Sequence, residues 1–293
     1  MKKKYLIYYN IIMLYYNIVC IIILIIILIC YNNNFIKNIE NYDNEKRYKV
    51  ACITSIYGNY DELKTPNIKN MKLVDWYCFT DSNIKNDIWQ IINKEYHIEN
   101  MKDEYKINKN YYNNIIDKKI YNMMSAKYYK IKTHEIDILK EYDYYIWIDG
   151  SIYLQDEFLN NILFIIYNND INLINFKHSE REFIRDETLF SLQMPKYNDQ
   201  DLDLQYNKYL KNGYLDNYGL YENTIIIKRN DKKINTLFNK WWEHNIKYSY
   251  QDQISYPYVL FKCNIKPDYV INENVFNNSN YSYVDFELMK THV

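Results

Sequence analysis

"YYIWIDGSIYL", residues 144–154, is the stretch on which the fold turns. Apolar and aromatic residues run up to Asp149-Gly150-Ser151, and the apolar pattern resumes at Ile152. The run predicts a buried strand. The Asp-Gly turn at its end leaves a carboxylate off the edge of the sheet. That carboxylate has two readings. It caps a turn, or it holds a hard cation such as Mg²⁺ or Mn²⁺, which in turn neutralises a diphosphate. Hard cations want oxygen ligands, and Ser151 is a weaker one than a second carboxylate would be.

Working outward, "YKVACITSIYGNYD" (48–61), "KLVDWYCFTD" (72–81) and "DIWQIIN" (87–93) read as strands. Two helical segments, about 103–121 and 125–141, precede the quoted strand. After it come helical "DEFLNNILFIIYNN" (156–169), the strand "INLINF" (171–176) and a long mixed region, 179–219. The strand "NTIIIKR" (223–229) follows, then helical "KINTLFNKWWEHNI" (233–246) and "QDQISYPYVLFK" (251–262). Strands alternating with helices predict an α/β domain on a mainly parallel sheet flanked by helices. In such sheets the ligand lies beyond the carboxyl ends of the strands. The exits 54–61, Thr80-Asp81 and Asp149-Gly150-Ser151 share that edge, so the acid stands where a ligand would be.

The 293 residues suffice for one sizeable globular domain. A net charge of -1 offers no electrostatic footprint for nucleic acid. With only 4 glycines and 4 prolines, each glycine stands out as a place where the backbone needs it. Cys52, Cys78 and Cys263 show no zinc-ligand spacing. Within predicted strands, Cys52 and Cys78 read as small buried hydrophobes, with a disulfide between them in a lumen as the alternative.

At the N-terminus, residues 11–30 are almost all apolar, about the 20 residues that a bilayer-spanning helix needs. Lys2, Lys3 and Lys4 precede them, which predicts a cytosolic tail (1–10), a signal anchor (11–30) and a translocated remainder. A cleaved signal peptide is the competing reading, against which stand the long Ile-rich core and the lack of a small-residue cleavage site. A polar stem, 31–47, then leads into the domain, 48–293. Single-pass topology with the domain in a secretory lumen is the expectation.

Four further groups carry chemistry. Lys127, Lys130 and His134, at i, i+3 and i+7 of the predicted helix, share one face beside an inner stripe of Ala126, Tyr129, Thr133, Ile136 and Leu139. The row reads as point charges for phosphates or as a solvated basic face. "KHSEREFIRDET" gathers His178, Glu180, Arg181, Arg185, Asp186 and Glu187 just after a strand, which suits sugar hydroxyls or phosphate oxygens, or a surface ion-pair network. "GYLDNYGLYENTIIIKR" sets Gly213, Gly219 and Glu222 around a turn into a strand, where a glycine permits close approach to a ligand. Asp252-Gln253 opens a helix, where an acid suits the dipole or serves a reacting sugar as general base or positioning group.

Taken in order, "TSIYGNYDEL", "DWYCFTD", "SAKYYKIKTH", "YYIWIDGSI", "HSEREFIRDE", "YGLYENTIIIKR" and "WWEHNIKYSYQDQISYPYVL" resemble the glycosyltransferase-like domain of plant seed-mucilage and pollen-turgor proteins. The resemblance covers roughly residues 48–262. It implies a GT-A-like (Rossmann-like) fold and transfer of a sugar from a nucleotide-sugar donor to a glycan or glycoconjugate acceptor. By the same analogy Thr54, Tyr57, Gly58 and Asp81 lie around the nucleoside, with Lys127, Lys130, His134, Gly150 and Ser151 at the donor. Asp149 takes the diphosphate or its Mn²⁺ or Mg²⁺. Asp252 and Gln253 match the segment near the transferred sugar, and His178, Arg181, Glu187, Gly219 and Glu222 face the acceptor. One departure stands out: the family pattern has an arginine where this chain has Gln251. Two rival readings are a carbohydrate-binding protein without turnover and a ceramide-type lipid-amide hydrolase, a role attached to some family members. Against the hydrolase, the chain has neither a G-x-S-x-G elbow nor an H-E-x-x-H zinc motif.

Overall fold

The computed structural model describes residues 48–69, 71–94, 118–154 and 156–272, with residues 18, 19, 21–23 and 25. The chain divides into two compact units, Met1–Arg47 and Tyr48–Val293. In the first, the six described residues are helical and exposed. Among the described residues no helix is long and apolar enough to cross a membrane. Most of the predicted anchor, and all of the tail and stem, lie outside them.

The second unit is built on a seven-stranded sheet. Its strands are β1 (Val50–Ile56), β2 (Asp75–Thr80), β3 (Gln90–Asn93), β4 (Tyr144–Ile148), β5 (Leu173–Lys177), β6 (Tyr221–Arg229) and β7 (Tyr269–Ile271). They lie in the order β3-β2-β1-β4-β6-β5-β7. Pairs β1–β2, β1–β4, β2–β3 and β5–β7 are parallel, whereas β6 runs antiparallel to both β4 and β5. The sheet is therefore mixed but mostly parallel. Every residue of β1 and β4 is buried, as expected of central strands covered on both faces.

Six α-helices are described: α1 (Lys118–Ile131), α2 (Asp156–Asn168), α3 (Ile184–Ser191), α4 (Leu202–Lys211), α5 (Lys232–Lys247) and α6 (Asp252–Cys263). Strand alternation sorts them into two layers. Tyr144, Ile146 and Ile148 face one core with Phe158, Leu159, Ile162 and Ile166 of α2. Tyr145 and Trp147 face the other, with Met124 and Tyr129 of α1, Leu237 and Trp241 of α5, and Tyr256 of α6.

Three expectations need correction. The predicted break at 122–124 is absent, for α1 runs through it; residues 103–117 lie outside the described part. The helix expected over 125–141 stops at Ile131 and gives way to 3-10 turns at Thr133–Glu135 and Asp137–Leu139. Tertiary partners end it. Lys228 Nζ donates to the Ile131 carbonyl at 3.2 Å, while Glu135 N turns to Lys132 O instead. The inner stripe survives the change, since Tyr129, Thr133, Ile136 and Leu139 are all buried. Strand β7 was not expected. It is only three residues long, and Asp268 Oδ2 next to it accepts the N–H groups of Asn172 and Leu173.

Cys52 and Cys78 are free, buried and in the same core. Burial pushes the Cys78 thiol up to about 12, which makes it inert at neutral pH.

Candidate functional site

Because β1, β2 and β4 are parallel, their carboxyl ends share one edge. The reversed β6 begins at that edge, with Ile225 opposite Ile148 and the Thr224 carbonyl accepting the Asp149 N–H at 2.9 Å. Between β5 and β6 the register slips at Asn175/Phe176, so Phe176 pairs with Glu222. A slip of this kind re-aims side chains at a sheet end. Here it brings Glu222 and His178 to the same edge as Asp149.

Asp149 closes β4 and is about 39% exposed at its side chain. Its Oδ1 accepts the indole N–H of Trp147 at 2.7 Å and lies 3.4 Å from Lys130 Nζ. Residues i and i+2 of a strand share a face, which is how Trp147 reaches the acid. Gly150 is required by close packing. A Cβ there would stand 2.9 Å from Ile56 Cγ1 and 3.1 Å from Asp61 Cβ. Ser151 is half-buried in the turn that follows.

Above this edge, α1 delivers Lys127 and Lys130, and the first turn of α6 delivers Asp252. Lys127 Nζ is 2.9 Å and Lys130 Nζ 3.0 Å from Asp252 Oδ2. Lys130 thus bridges two carboxylates that lie far apart in sequence. Burial opposes its charge, yet Asp149 and Asp252 outweigh burial and hold its ammonium above the usual lysine value. Burial, with Lys130 alongside, holds Lys127 below it. For Asp252, burial is outweighed by the two lysines, which keep its carboxyl well below the ordinary range. An acid so firmly ionised is a weak general base. Of the two roles expected for Asp252, its surroundings favour positioning.

A second polar cluster adjoins the first through the neighbouring residue. Gln251 Nε2 donates to Glu187 Oε1 at 2.7 Å and to Ser191 Oγ at 3.0 Å. The other Glu187 oxygen accepts Arg181 Nε at 2.6 Å. His178 Nδ1 accepts the N–H groups of Glu180 and Arg181, 3.1 Å each, leaving its Nε2 3.7 Å from Glu187 Oε2. Burial, then Arg181, lowers the His178 pKa. Glu222 Oε1 accepts both the N–H and the hydroxyl of Ser179, and burial raises its carboxyl pKa. Gln253 Nε2 donates to Tyr221 O at 3.2 Å. Gly219 adopts φ +79, and a Cβ on it would meet the Tyr221 hydroxyl at 3.2 Å. Gln251 therefore stands at the junction of both clusters, and its Glu187 partner already carries an arginine, Arg181.

The remaining expected site residues make contacts of their own. Thr54 is buried with its Oγ1 unpaired. Tyr57 is buried too, its hydroxyl donating to Lys94 O at 2.7 Å and its ring stacked on Tyr129. Gly58 turns the chain at φ +65 and gives its N–H to Asp81 Oδ1 at 2.9 Å. Asp81 thus braces the β1 exit from the β2 exit. His134 falls beyond the end of α1 and does not continue the Lys127–Lys130 row. It lies among Asn239 (Nε2 to Oδ1, 2.8 Å) and Lys228 (Nζ to Nδ1, 3.3 Å).

Sequence reasoning passed over Trp147, Ser191 and Tyr197. Trp147 was legible as the i−2 neighbour of an acid on one strand face. Tyr197 is buried, and besides burial the charges of Asp252 and Glu187 push its hydroxyl pKa up, which sets it beside both clusters. Asn223, also buried, has neither amide atom paired, although it follows Glu222 directly.

The donor set suits a divalent cation poorly. Among the described residues no group of three or more His, Cys, Asp or Glu side chains is placed to hold a metal. Asp149 Oδ1 is already held by an indole N–H and faced by an ammonium.

A family model for the TOD1/MUCI70 glycosyltransferase-like domain matches residues 33–290. The chain belongs to the TOD1/MUCI70 family. No curated protein matches it. The TOD1/MUCI70 match runs beyond the seven stretches at both ends, taking in part of the predicted stem and strand β7. Both polar clusters lie inside it.

Proposed function

We propose that this domain is a glycosyltransferase with a GT-A-like fold, moving a sugar from a nucleoside-diphosphate donor to a glycan or glycoconjugate. One observation carries the reading beyond family membership: a buried ammonium, a partly buried one and two carboxylates converge at the shared carboxyl edge of β1, β2 and β4. In the reaction the bond from the sugar's anomeric carbon to the phosphate oxygen breaks, and its electron pair stays on the diphosphate. The acceptor hydroxyl oxygen bonds that carbon, and its proton passes to the departing diphosphate, directly or through water. Positive charge fixed beside the leaving diphosphate is what lowers such a barrier. Lys127 and Lys130 supply it, and Asp252 positions them. Asp149 accepts hydrogen bonds from hydroxyl groups of the bound sugar, while the Glu187–Gln251–Arg181 cluster lines the acceptor side.

The setting we propose is a membrane-anchored domain in a secretory lumen, on the strength of the apolar stretch 11–30 behind three lysines. Thermal melting of the full-length chain with UDP- and GDP-sugars tests the chemistry. Stabilisation by one nucleotide series supports transfer. A response to free sugars alone would move the reading to a carbohydrate-binding protein.

A further inference from the structure

The glycosyltransferase reading, on which this inference rests, leaves open what neutralises the donor's diphosphate. We propose that Lys127 and Lys130 are the site's own cations, so that the nucleoside diphosphate binds without a divalent metal ion. Three observations converge on this. First, both ammoniums are fixed before any ligand arrives: Asp252 Oδ2 takes Lys127 at 2.9 Å and Lys130 at 3.0 Å. Their side chains are only 19% and 6% exposed, which keeps water from screening them. Second, they keep donors to spare. An ammonium has three N–H bonds. Among the described residues Lys127 is ion-paired with Asp252 and Lys130 with Asp252 and Asp149, and only the Lys130–Asp149 contact is also a hydrogen bond. The remaining N–H groups are available to phosphate oxygens, Lys127 from the more open position. Third, the carboxylate that a metal would use is already engaged. A dication on Asp149 would stand beside the Lys130 ammonium facing Oδ1 at 3.4 Å, with Lys127 close behind. Like charges so placed repel, and among the described residues no group of three or more His, Cys, Asp or Glu side chains is placed to hold the ion against that repulsion.

The fold supports the arrangement. Positions i and i+3 on α1 give both lysines one face, and α1 ends at Ile131, directly after Lys130. The pair is therefore held where the helix is anchored through the bond from Lys228 to the Ile131 carbonyl. Asp252 has no backbone freedom to retreat either, because its carbonyl accepts the buried Trp241 indole N–H at 3.2 Å.

Calorimetric titration of UDP and GDP into the full-length protein, in EDTA and then in Mn²⁺, is the test. One of the two is expected to bind in EDTA, with an affinity that Mn²⁺ changes by less than about tenfold, roughly 1.4 kcal/mol. Lys127→Gln is expected to weaken that binding by on the order of tenfold to a hundredfold, the usual worth of a charge-assisted phosphate contact. Lys127→Arg should restore most of it. Binding that appears only with Mn²⁺ would overturn the inference and leave the nucleotide reading standing. So would binding in EDTA that Lys127→Gln does not touch. Should neither nucleotide bind under either condition, the donor assignment itself fails and this inference with it. The EDTA titration of the unsubstituted chain decides the matter even if a variant does not fold.

Discussion

Asp149 and Asp252 share Lys130, yet their substitution is expected to have opposite signatures. Asp149→Asn keeps an Oδ1 to accept the Trp147 indole and removes only the charge. Its stability cost should stay near 1 kcal/mol, as for a partly exposed polar change. Transfer should fall by about 10²–10³, the typical loss when one group that serves the transition state is removed. Asp252→Asn leaves the buried Lys130 and the partly buried Lys127 ammoniums against a single, half-exposed carboxylate. Breaking a buried ion pair from one side costs roughly 3–5 kcal/mol, so this variant should melt well below the parent. Paired melting curves and transfer assays distinguish them. If Asp149→Asn transfers normally, Asp149 is a turn cap and nothing more. At this scale the sequence was partly readable. The i, i+3 spacing of Lys127 and Lys130 announced a shared face, and the Asp-Gly exit announced an exposed acid. That the lysines close on Asp252, more than a hundred positions away, is a tertiary fact without a local trace.

Among the elements, α5 and the turn after α1 each hold a histidine with its ring out of water. On α5, His244 Nδ1 lies 3.0 Å from the Tyr209 hydroxyl, and burial with nearby lysines pushes its pKa down to about 4. Burial and then Lys228 push His134 down to about 3. Both folded values lie below the unfolded value of about 6.5. The fold therefore prefers the neutral rings, and their contribution is complete above about pH 6.5. It drains away as pH falls from there toward 3–4. By about pH 5 each ring should have cost on the order of 1–2 kcal/mol. Melting temperature is expected to drop between about pH 7.5 and 5, and the slope should flatten in a His134→Gln, His244→Gln double variant. An unchanged slope would place the acid sensitivity elsewhere. His134 also shows why element boundaries were the weakest part of the sequence reading. Extending the helical period to residue 141 put His134 in line with Lys130. The bond from Lys228, on a distant strand, ends the helix first. Strands β1 to β6 were all recognisable by their apolar runs, whereas β7 is too short and too exposed to leave a pattern.

For the whole molecule, the proposed topology makes a prediction independent of the chemistry. If residues 11–30 anchor the chain with three lysines in the cytosol, the domain in sealed microsomes should resist added protease until detergent is present. Digestion without detergent would reverse the orientation or remove the anchor. The general architecture, helices on both faces of a mostly parallel sheet, followed from the alternation of elements. The reversal of β6 did not, because a buried apolar strand reads the same in either direction.

That reversed strand also sets an order of events. Central β1 completes its pairing only with β4, some ninety residues further on, and β4 finds its other neighbour only when β6 arrives later still. Asp252 leaves the ribosome roughly 5–20 s after Asp149, at a synthesis rate of about 5–20 residues per second. Until then Lys127 and Lys130 have no Asp252 to close on, and half of one core lacks its cover of α5 and α6. Sheets joined by such distant pairings fold slowly and expose apolar edges while they wait. The nascent chain is thus most dependent on chaperones between the emergence of β4 and that of α6, and a stop anywhere before residue 252 yields a sheet without a site.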